Sequence, residues 1–336
     1  MKIGIITRFG MPLKKDAFGY YYRLHYLVNE LVNRGHQVIV LAHPKSKVQG
    51  QLIKANVKNM EWETQLITYA NFLKKYGDKL DIINAQTDHM CCFLAPFVKI
   101  PIVHTIIYGG FWPQVEEILQ VAKKQYFTTI SQGNKKCYPF LNWQGVVHNG
   151  LEKSQFEYNN KPDDYLLFLG RVCHEKGVEE AIEAANLAGK KLIIAGQPSS
   201  ETYFNSIIKP KINKNIKYFG IANFNQKIKL FKNAKAVLHP HLLPEGFGNT
   251  MIEAQACGTP VIAYPYGSSP EVIKDKKTGF IVKDIKGMVS AIKKIDKINR
   301  QDCRDFVEKN FSIKKMVDGY ENIFKKIVAN NKNVQK

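Results

Sequence analysis

Short apolar runs alternate with longer amphipathic stretches along this chain. Ile3-Gly4-Ile5-Ile6-Thr7 reads as a strand, and after a polar loop Tyr22, Leu24, Leu27, Val28 and Leu31 recur at helical spacing until Gly35 stops the helix. Val38-Ile39-Val40-Leu41 supplies the next strand and completes a βαβ unit. Ile82-Ile83, Ile102-Val103 and Tyr126-Phe127-Thr128-Thr129-Ile130 continue the alternation, each flanked by amphipathic stretches. The pattern predicts a parallel sheet covered by helices on both faces.

After Asn149-Gly150 the pattern breaks. The polar stretch from Glu152 to Asp164, with Asn159, Asn160 and Pro162, reads as an interdomain linker. The alternation then starts again: a strand at Leu166-Leu167-Phe168-Leu169, a helix from Val178 to Ala188, and strands at Leu192-Ile193-Ile194-Ala195, Ile216 to Phe219, Ala236-Val237-Leu238-His239 and Pro260-Val261-Ile262-Ala263. The expected fold is α/β, with two Rossmann-like domains over residues 1–150 and 151–310 and a last segment, 311–336, whose Lys/Asn-rich end from Lys325 is expected to fray. Open parallel sheets bind ligands beyond the carboxyl ends of their strands, so two such sheets facing each other imply a central cleft.

With 336 residues and 45% hydrophobic content, the chain can bury a core in each domain. A lysine follows the first methionine, and no apolar run approaches a membrane span, so a cytoplasmic location is expected. Cys91, Cys92, Cys137, Cys173, Cys257 and Cys303 form no CxxC pair and stand at no ligand spacing from a histidine, so they read as buried thiols rather than a zinc site or disulfide framework. The formal charge of +20 would suit an acidic ligand, a nucleic acid or an anionic membrane. The excess is spread, however, with 18 Lys/Arg against 9 Asp/Glu in residues 1–150 and 31 against 20 in the remainder. A lysine-rich solvated surface is the simpler reading, and no nucleic-acid partner is expected.

The most informative stretch runs from Pro244 to Ile262. It reads as a glycine-flanked loop (Glu245-Gly246-Phe247-Gly248), a helix of about ten residues opening near Asn249-Thr250, a stop at Gly258 and a strand. Gly246 and Gly248 allow close backbone approach, and amides opening a helix favour a phosphate. Glu253 lies one turn in from Asn249, and with Glu245 it suits hydrogen bonding to vicinal hydroxyls better than metal binding. His239 and His241 read as loop or core residues rather than metal ligands. No GxGxxG is formed around Gly4 and Gly10 or at Gly196, which argues against a dehydrogenase.

This stretch resembles the retaining glycosyltransferases of family 4, whose two-domain architecture is called GT-B. Glu245 and Glu253 keep that family's E-x7-E spacing inside an EGFG…EA-A-G-PV frame. The resemblance implies that Glu245 contacts the transferred sugar and Glu253 the ribose. Gly170-Arg171-Val172-Cys173-His174-Glu175-Lys176-Gly177 resembles the family's GR…KG segment, which implies that Arg171 and Lys176 bind the diphosphate and stabilise the leaving charge without a metal. Gly267-Ser268-Ser269-Pro270-Glu271-Val272 resembles its GG-x-PE turn, Val147 to Glu152 its hinge, and Gly220 its base-contacting loop. In the first half, Arg34-Gly35-His36-Gln37-Val38 resembles the RGHEV turn, and His104 stands in the place of a histidine near the donor sugar. The usual glycine pair is reduced to Phe18-Gly19, and Gln86 stands where the family often has histidine. Tyr108-Gly109-Gly110-Phe111-Trp112 looks like an acceptor-side loop with stacking faces. The resemblance also implies a last helix, roughly Ile313 to Val328, crossing back to the N-terminal domain.

Taken as a whole, the resemblance implies metal-free hexose transfer, with retention, from a nucleotide-sugar to an acceptor hydroxyl. No cofactor is expected beyond the donor as co-substrate, with a UDP-sugar placed ahead of a GDP- or ADP-sugar. The acceptor is left open as a sugar, small metabolite or lipid, and the basic charge permits peripheral membrane contact. Two alternatives stand beside it: a nucleotide-sugar epimerase on the same scaffold, and a non-catalytic nucleotide-sugar or polyanion binder.

Overall fold

The computed structural model describes residues 1–57, 59–108 and 112–334. Gly109, Gly110 and Phe111, the centre of the expected acceptor-side loop, lie outside the described residues. The chain forms two compact units, Met1–Gly150 with Ile313–Lys336, and Leu151–Ser312.

The first unit contains β1 (Lys2–Ile6), α1 (Gly19–Asn33), β2 (Gln37–Ala42), β3 (Gln51–Lys54), α2 (Trp62–Tyr76), β4 (Ile82–Ala85), β5 (Ile102–Ile106), α3 (Pro113–Ala122), β6 (Tyr126–Thr129), α4 (Gln132–Cys137) and β7 (Trp143–Val146). The strands make one parallel sheet in the order β3-β2-β1-β4-β5-β6-β7. The second unit contains β8 (Tyr165–Leu169), α5 (Val178–Leu187), β9 (Lys191–Ala195), the single turn α6 (Glu201–Tyr203), β10 (Ile216–Gly220), α7 (Phe224–Asn233), β11 (Ala236–His239), α8 (Asn249–Ala256), β12 (Val261–Ala263), α9 (Ser269–Val272), β13 (Gly279–Ile281), α10 (Ile285–Lys293) and α11 (Arg300–Asn310). Its parallel sheet runs β10-β9-β8-β11-β12-β13. Strands buried on both faces carry the continuous apolar runs that made them legible, as in the fully buried Val261-Ile262-Ala263 of β12.

Three strands escape a reading based on apolar runs. β3 (QLIK) has no buried residue, β7 (WQGV) is only half-buried, and β13 (GFI) is three residues long; all three lie at sheet edges. An edge strand needs backbone pairing on one side and little apolar content.

The final helix, α12 (Ile313–Val334), belongs to the first unit. Met316, Val317, Tyr320, Ile323, Phe324 and Ile327 recur at helical spacing and join Leu24, Leu27 and Leu31 of α1 in one core. Arg34 reaches Asp318 at 2.7 Å and Glu321 at 2.8 Å, and the buried Arg23 donates to Tyr320 Oη at 2.9 Å. The end expected to fray is helical through Val334, because α12 continues a docked helix.

The stretch from Glu152 to Asp164 is not a free linker. Leu151 pairs with Ser312, Phe156 is buried, Asn159 N donates to Cys257 O, and Arg300 Nε donates to Asn159 O at 2.6 Å. Backbone groups that composition marks as loop are consumed by contacts far along the chain, from the end of α8, from α11 and from Ser312. All six cysteines are free, and Cys137 is half-buried where the others are buried. Among the described residues no helix is long and apolar enough to cross a membrane.

Candidate functional site

In each sheet the strand order reverses once, between β1 and β4 in the first unit and between β8 and β11 in the second. The crevice beyond the carboxyl ends of the strands at such a switch point is where open α/β sheets bind ligands. In the second unit β8 delivers Gly170 and Arg171 there, and β11 delivers the segment from His239 to Glu245.

Local backbone geometry fixes both segments. Gly196 packs so tightly that a β-carbon on it would lie 1.7 Å from Gly170 O, and one on Gly177 (φ 68°) would lie 1.9 Å from Pro240 O. Leu242 N donates to Glu175 O at 2.9 Å. The turn carrying Lys176 and the loop after β11 are thus locked together. Gly267 (φ 59°) fits against the Glu245 backbone, where a β-carbon would meet Glu245 O at 2.2 Å, and Ser268 N donates to that oxygen at 3.2 Å. The segment resembling a GG-x-PE turn therefore clamps the main chain of Glu245.

On that frame Lys176 Nζ pairs with Glu245 Oε2, and His241 Nδ1 lies 2.8 Å from the same oxygen. The His241 ring stacks on His239 with centroids 3.6 Å apart and planes inclined by 29°. Burial would raise the Glu245 carboxyl pKa, but the His241 hydrogen bond and the Lys176 charge outweigh it and hold the group well below the usual carboxylate range. Burial lowers both histidines, His239 strongly, and the Arg171 charge adds to the effect on His241. At neutral pH the cluster is a carboxylate, an ammonium and two neutral imidazoles, with the exposed Arg171 guanidinium nearby.

His239, His241 and Glu245 bring three metal-ligating atoms within 4.8 Å of one another, and His241 has in Glu245 a polar partner that a core reading of it missed. The arrangement fits a metal poorly. The Lys176 ammonium already supplies a cation at the same carboxylate oxygen that faces His241.

Gly248 (φ 66°) opens α8 without a capping side chain, and Asn249 and Thr250 occupy its first turn, half-buried. The helix spans eight residues, shorter than expected, and Gly258 (φ 85°) follows its end. Glu253 is buried and bonded to Lys227 Nζ at 2.8 Å, with the two side chains 9% and 3% exposed. Lys227, on α7, escapes a sequence reading because it stands in a lysine-rich helix, FNQKIKLFKN, where nothing marks one lysine as buried. Gly246 is buried. The Phe247 ring packs against Phe311 at 5.7 Å, so that side chain belongs to the core. Gly220 (φ 88°) ends β10 beside open space.

In the first unit the corresponding positions are Arg8 after β1 and Asp88 after β4. Arg8 pairs with the buried Asp88 and lies 5.7 Å from the Tyr20 ring centroid and 5.1 Å from that of Tyr108. Asp88 Oδ1 also accepts from Ile107 N at 2.6 Å. Gly19 (φ 49°) opens α1 one residue before Tyr20, so Gly19 and Tyr108 flank one cluster that the sequence reading did not assemble around Arg8. Gln86 is structural: its amide bridges Arg23, at 2.7 Å, and Asn84, at 2.6 Å. His104 lies inside β5 rather than at a strand end. It is wholly buried against Phe127, and burial, outweighing an interaction with the Gln125 side chain, pushes its pKa down to about 3.

Residues 151–311 match the family model for glycosyl transferases group 1. An uncharacterized glycosyltransferase of Methanocaldococcus jannaschii is 26% identical over 61% of this chain and 59% of its own length, so the chain spans under two thirds of that relative. Among solved structures, sucrose-phosphate synthase from Thermosynechococcus elongatus superposes with a TM-score of 0.82 at 16% identity, covering 98% of this chain and 100% of that one. Anabaena HepE in complex with UDP-glucose superposes with a TM-score of 0.75 at 16% identity, again over 98% and 100%. Residues 151–311 are thus similar to the glycosyl transferases group 1 family, and the chain has the two-domain α/β fold of GT-B structures.

Proposed function

We propose that this chain is a retaining family 4 glycosyltransferase, moving a hexose from a nucleotide-sugar to an acceptor hydroxyl. The observation that carries the reading is the Lys176–Glu245 pair at the switch point of the second sheet, with Arg171 beside it and Glu253 eight residues on. Loss of a nucleoside diphosphate concentrates negative charge on the departing oxygens. Arg171 and Lys176 stabilise that charge, and the phosphates also meet the first turn of α8 at Gly248, Asn249 and Thr250. No metal is required, since the two cations do its electrostatic work.

Glu245 accepts hydrogen bonds from the sugar hydroxyls and Glu253 from the ribose, while the open space at Gly220 admits the base. The acceptor attacks from the face the diphosphate leaves, and the departing phosphate takes its proton, which preserves the anomeric configuration. In the first unit Gly19 and Tyr108 lie on the acceptor side. His104 enters the reading as a neutral buried residue of β5, out of reach of solvent. A UDP-sugar is placed first among donors, a choice supported by the UDP-glucose complex of the structurally similar HepE.

A thermal-shift panel of UDP, GDP, ADP and their hexose conjugates, each at about 1 mM with and without EDTA, tests the proposal. The expected result is stabilisation by one nucleotide series, indifferent to EDTA and weakened by Arg171→Ala. If no nucleotide shifts the melting temperature, the transferase reading falls. Retention is read from the anomeric coupling of the product formed with a simple glycoside acceptor.

A further inference from the structure

Two donors compete for one oxygen of Glu245. Lys176 Nζ and His241 Nδ1 both approach Oε2, and the two nitrogens lie 3.5 Å apart. The Glu245 main chain is clamped by Ser268 and by the close fit of Gly267, so its remaining freedom is the orientation of the carboxylate. His241 has little freedom of its own, being buried and stacked on His239. With a neutral ring, the contact at 2.8 Å is attractive only when Nδ1 carries the proton, so the carboxylate selects the tautomer.

A diphosphate bound at this switch point draws the Lys176 ammonium, because it offers more negative charge than one carboxylate. His241 is then the donor that stays. Resting on the donor-binding reading above, we propose that His241 is a positioning residue: it holds the Glu245 carboxylate aimed at the donor sugar once Lys176 has turned to the phosphates. The nucleotide itself makes no use of His241 in this arrangement. The sugar does, through Glu245.

The test measures binding of UDP and of UDP-glucose to the full chain by calorimetry, for wild type, His241→Phe and His241→Asn. Phenylalanine keeps a ring to stack on His239 and has no N–H; asparagine keeps a donor near the Nδ1 position and has no ring. In His241→Phe, affinity for UDP-glucose is expected to fall about tenfold, the scale of losing a hydrogen bond to a charged group, with UDP affinity unchanged. In His241→Asn, UDP-glucose affinity is expected to return to within about threefold of wild type. The proposal is overturned if His241→Phe binds UDP-glucose like wild type, or if both variants lose UDP and UDP-glucose alike, the signature of a packing role. Wild type that binds neither compound removes the donor reading and this proposal with it. Should His241→Phe not fold, the Nδ1 proton is read by NMR: a downfield resonance lost in Glu245→Gln is expected, and its absence from wild type overturns the proposal.

Discussion

Gly177 and Gly220 both hold left-handed backbone, at φ 68° and 88°, yet a β-carbon would meet Pro240 O at 1.9 Å in the first and nothing within 4 Å in the second. Gly220→Ala is therefore expected to cost about 1 kcal/mol, the strain of a left-handed alanine alone, and Gly177→Ala at least about 3 kcal/mol, because overpacking against a carbonyl is added. Urea denaturation of the two variants checks the contrast, and equal losses would contradict it. The buried Lys227–Glu253 pair gives a second residue-scale prediction. Glu253→Ala strands an ammonium that is 3% exposed and is expected to destabilise by about 3 kcal/mol, whereas the double variant Lys227→Met/Glu253→Leu recovers most of the loss. The glutamate was legible from its motif, but the lysine was not, because a buried charge is recognised only by what surrounds it.

At the scale of elements, α12 is held to α1 by apolar packing and by a charge cluster centred on Arg34. The Lys325 and Arg34 cations lower the Glu321 pKa from its ordinary 4.5 to about 2, and Asp318 is lowered too because Lys314 and Arg34 outweigh its burial. Folded carboxylates with depressed pKa values bind fewer protons than unfolded ones, so their contribution is complete above about pH 4.5 and is lost as pH falls toward about 2. The stability difference between wild type and Arg34→Met should accordingly be constant at neutral pH and shrink across that acid window, as measured by thermal melts at several pH values. A difference that grows on acidification would show that the cluster is not what anchors α12. Most elements announced themselves through continuous apolar strands and helical spacing. β3, β7 and β13 did not, because an edge strand is defined by the neighbour it pairs with.

For the whole molecule, the division into Met1–Gly150 with Ile313–Lys336 and Leu151–Ser312 makes the units unequal in their dependence on chain continuity. Residues 151–312 contain their own core, and expressed alone they are expected to melt cooperatively. Residues 1–150 alone lack the α12 side chains that cover Leu24, Leu27 and Leu31, so they are expected to bind a hydrophobic dye and to lose a cooperative melt, which circular dichroism and dye fluorescence check. The amino-acid sequence by itself determined the alternation of strands and helices, the glycines that turn the loops, and the two glutamates eight positions apart, since these depend on short-range spacing and intrinsic backbone freedom. Only the tertiary structure decided which group answers each carboxylate: Lys176 meets Glu245 across 69 positions and Lys227 meets Glu253 across 26. His241, only four residues from Glu245, was invisible as well, because a histidine beside an apolar strand looks the same whether it fills a core or orients a carboxylate. Strand order and the direction of a buried side chain settle such pairings, and neither is a local property of the chain.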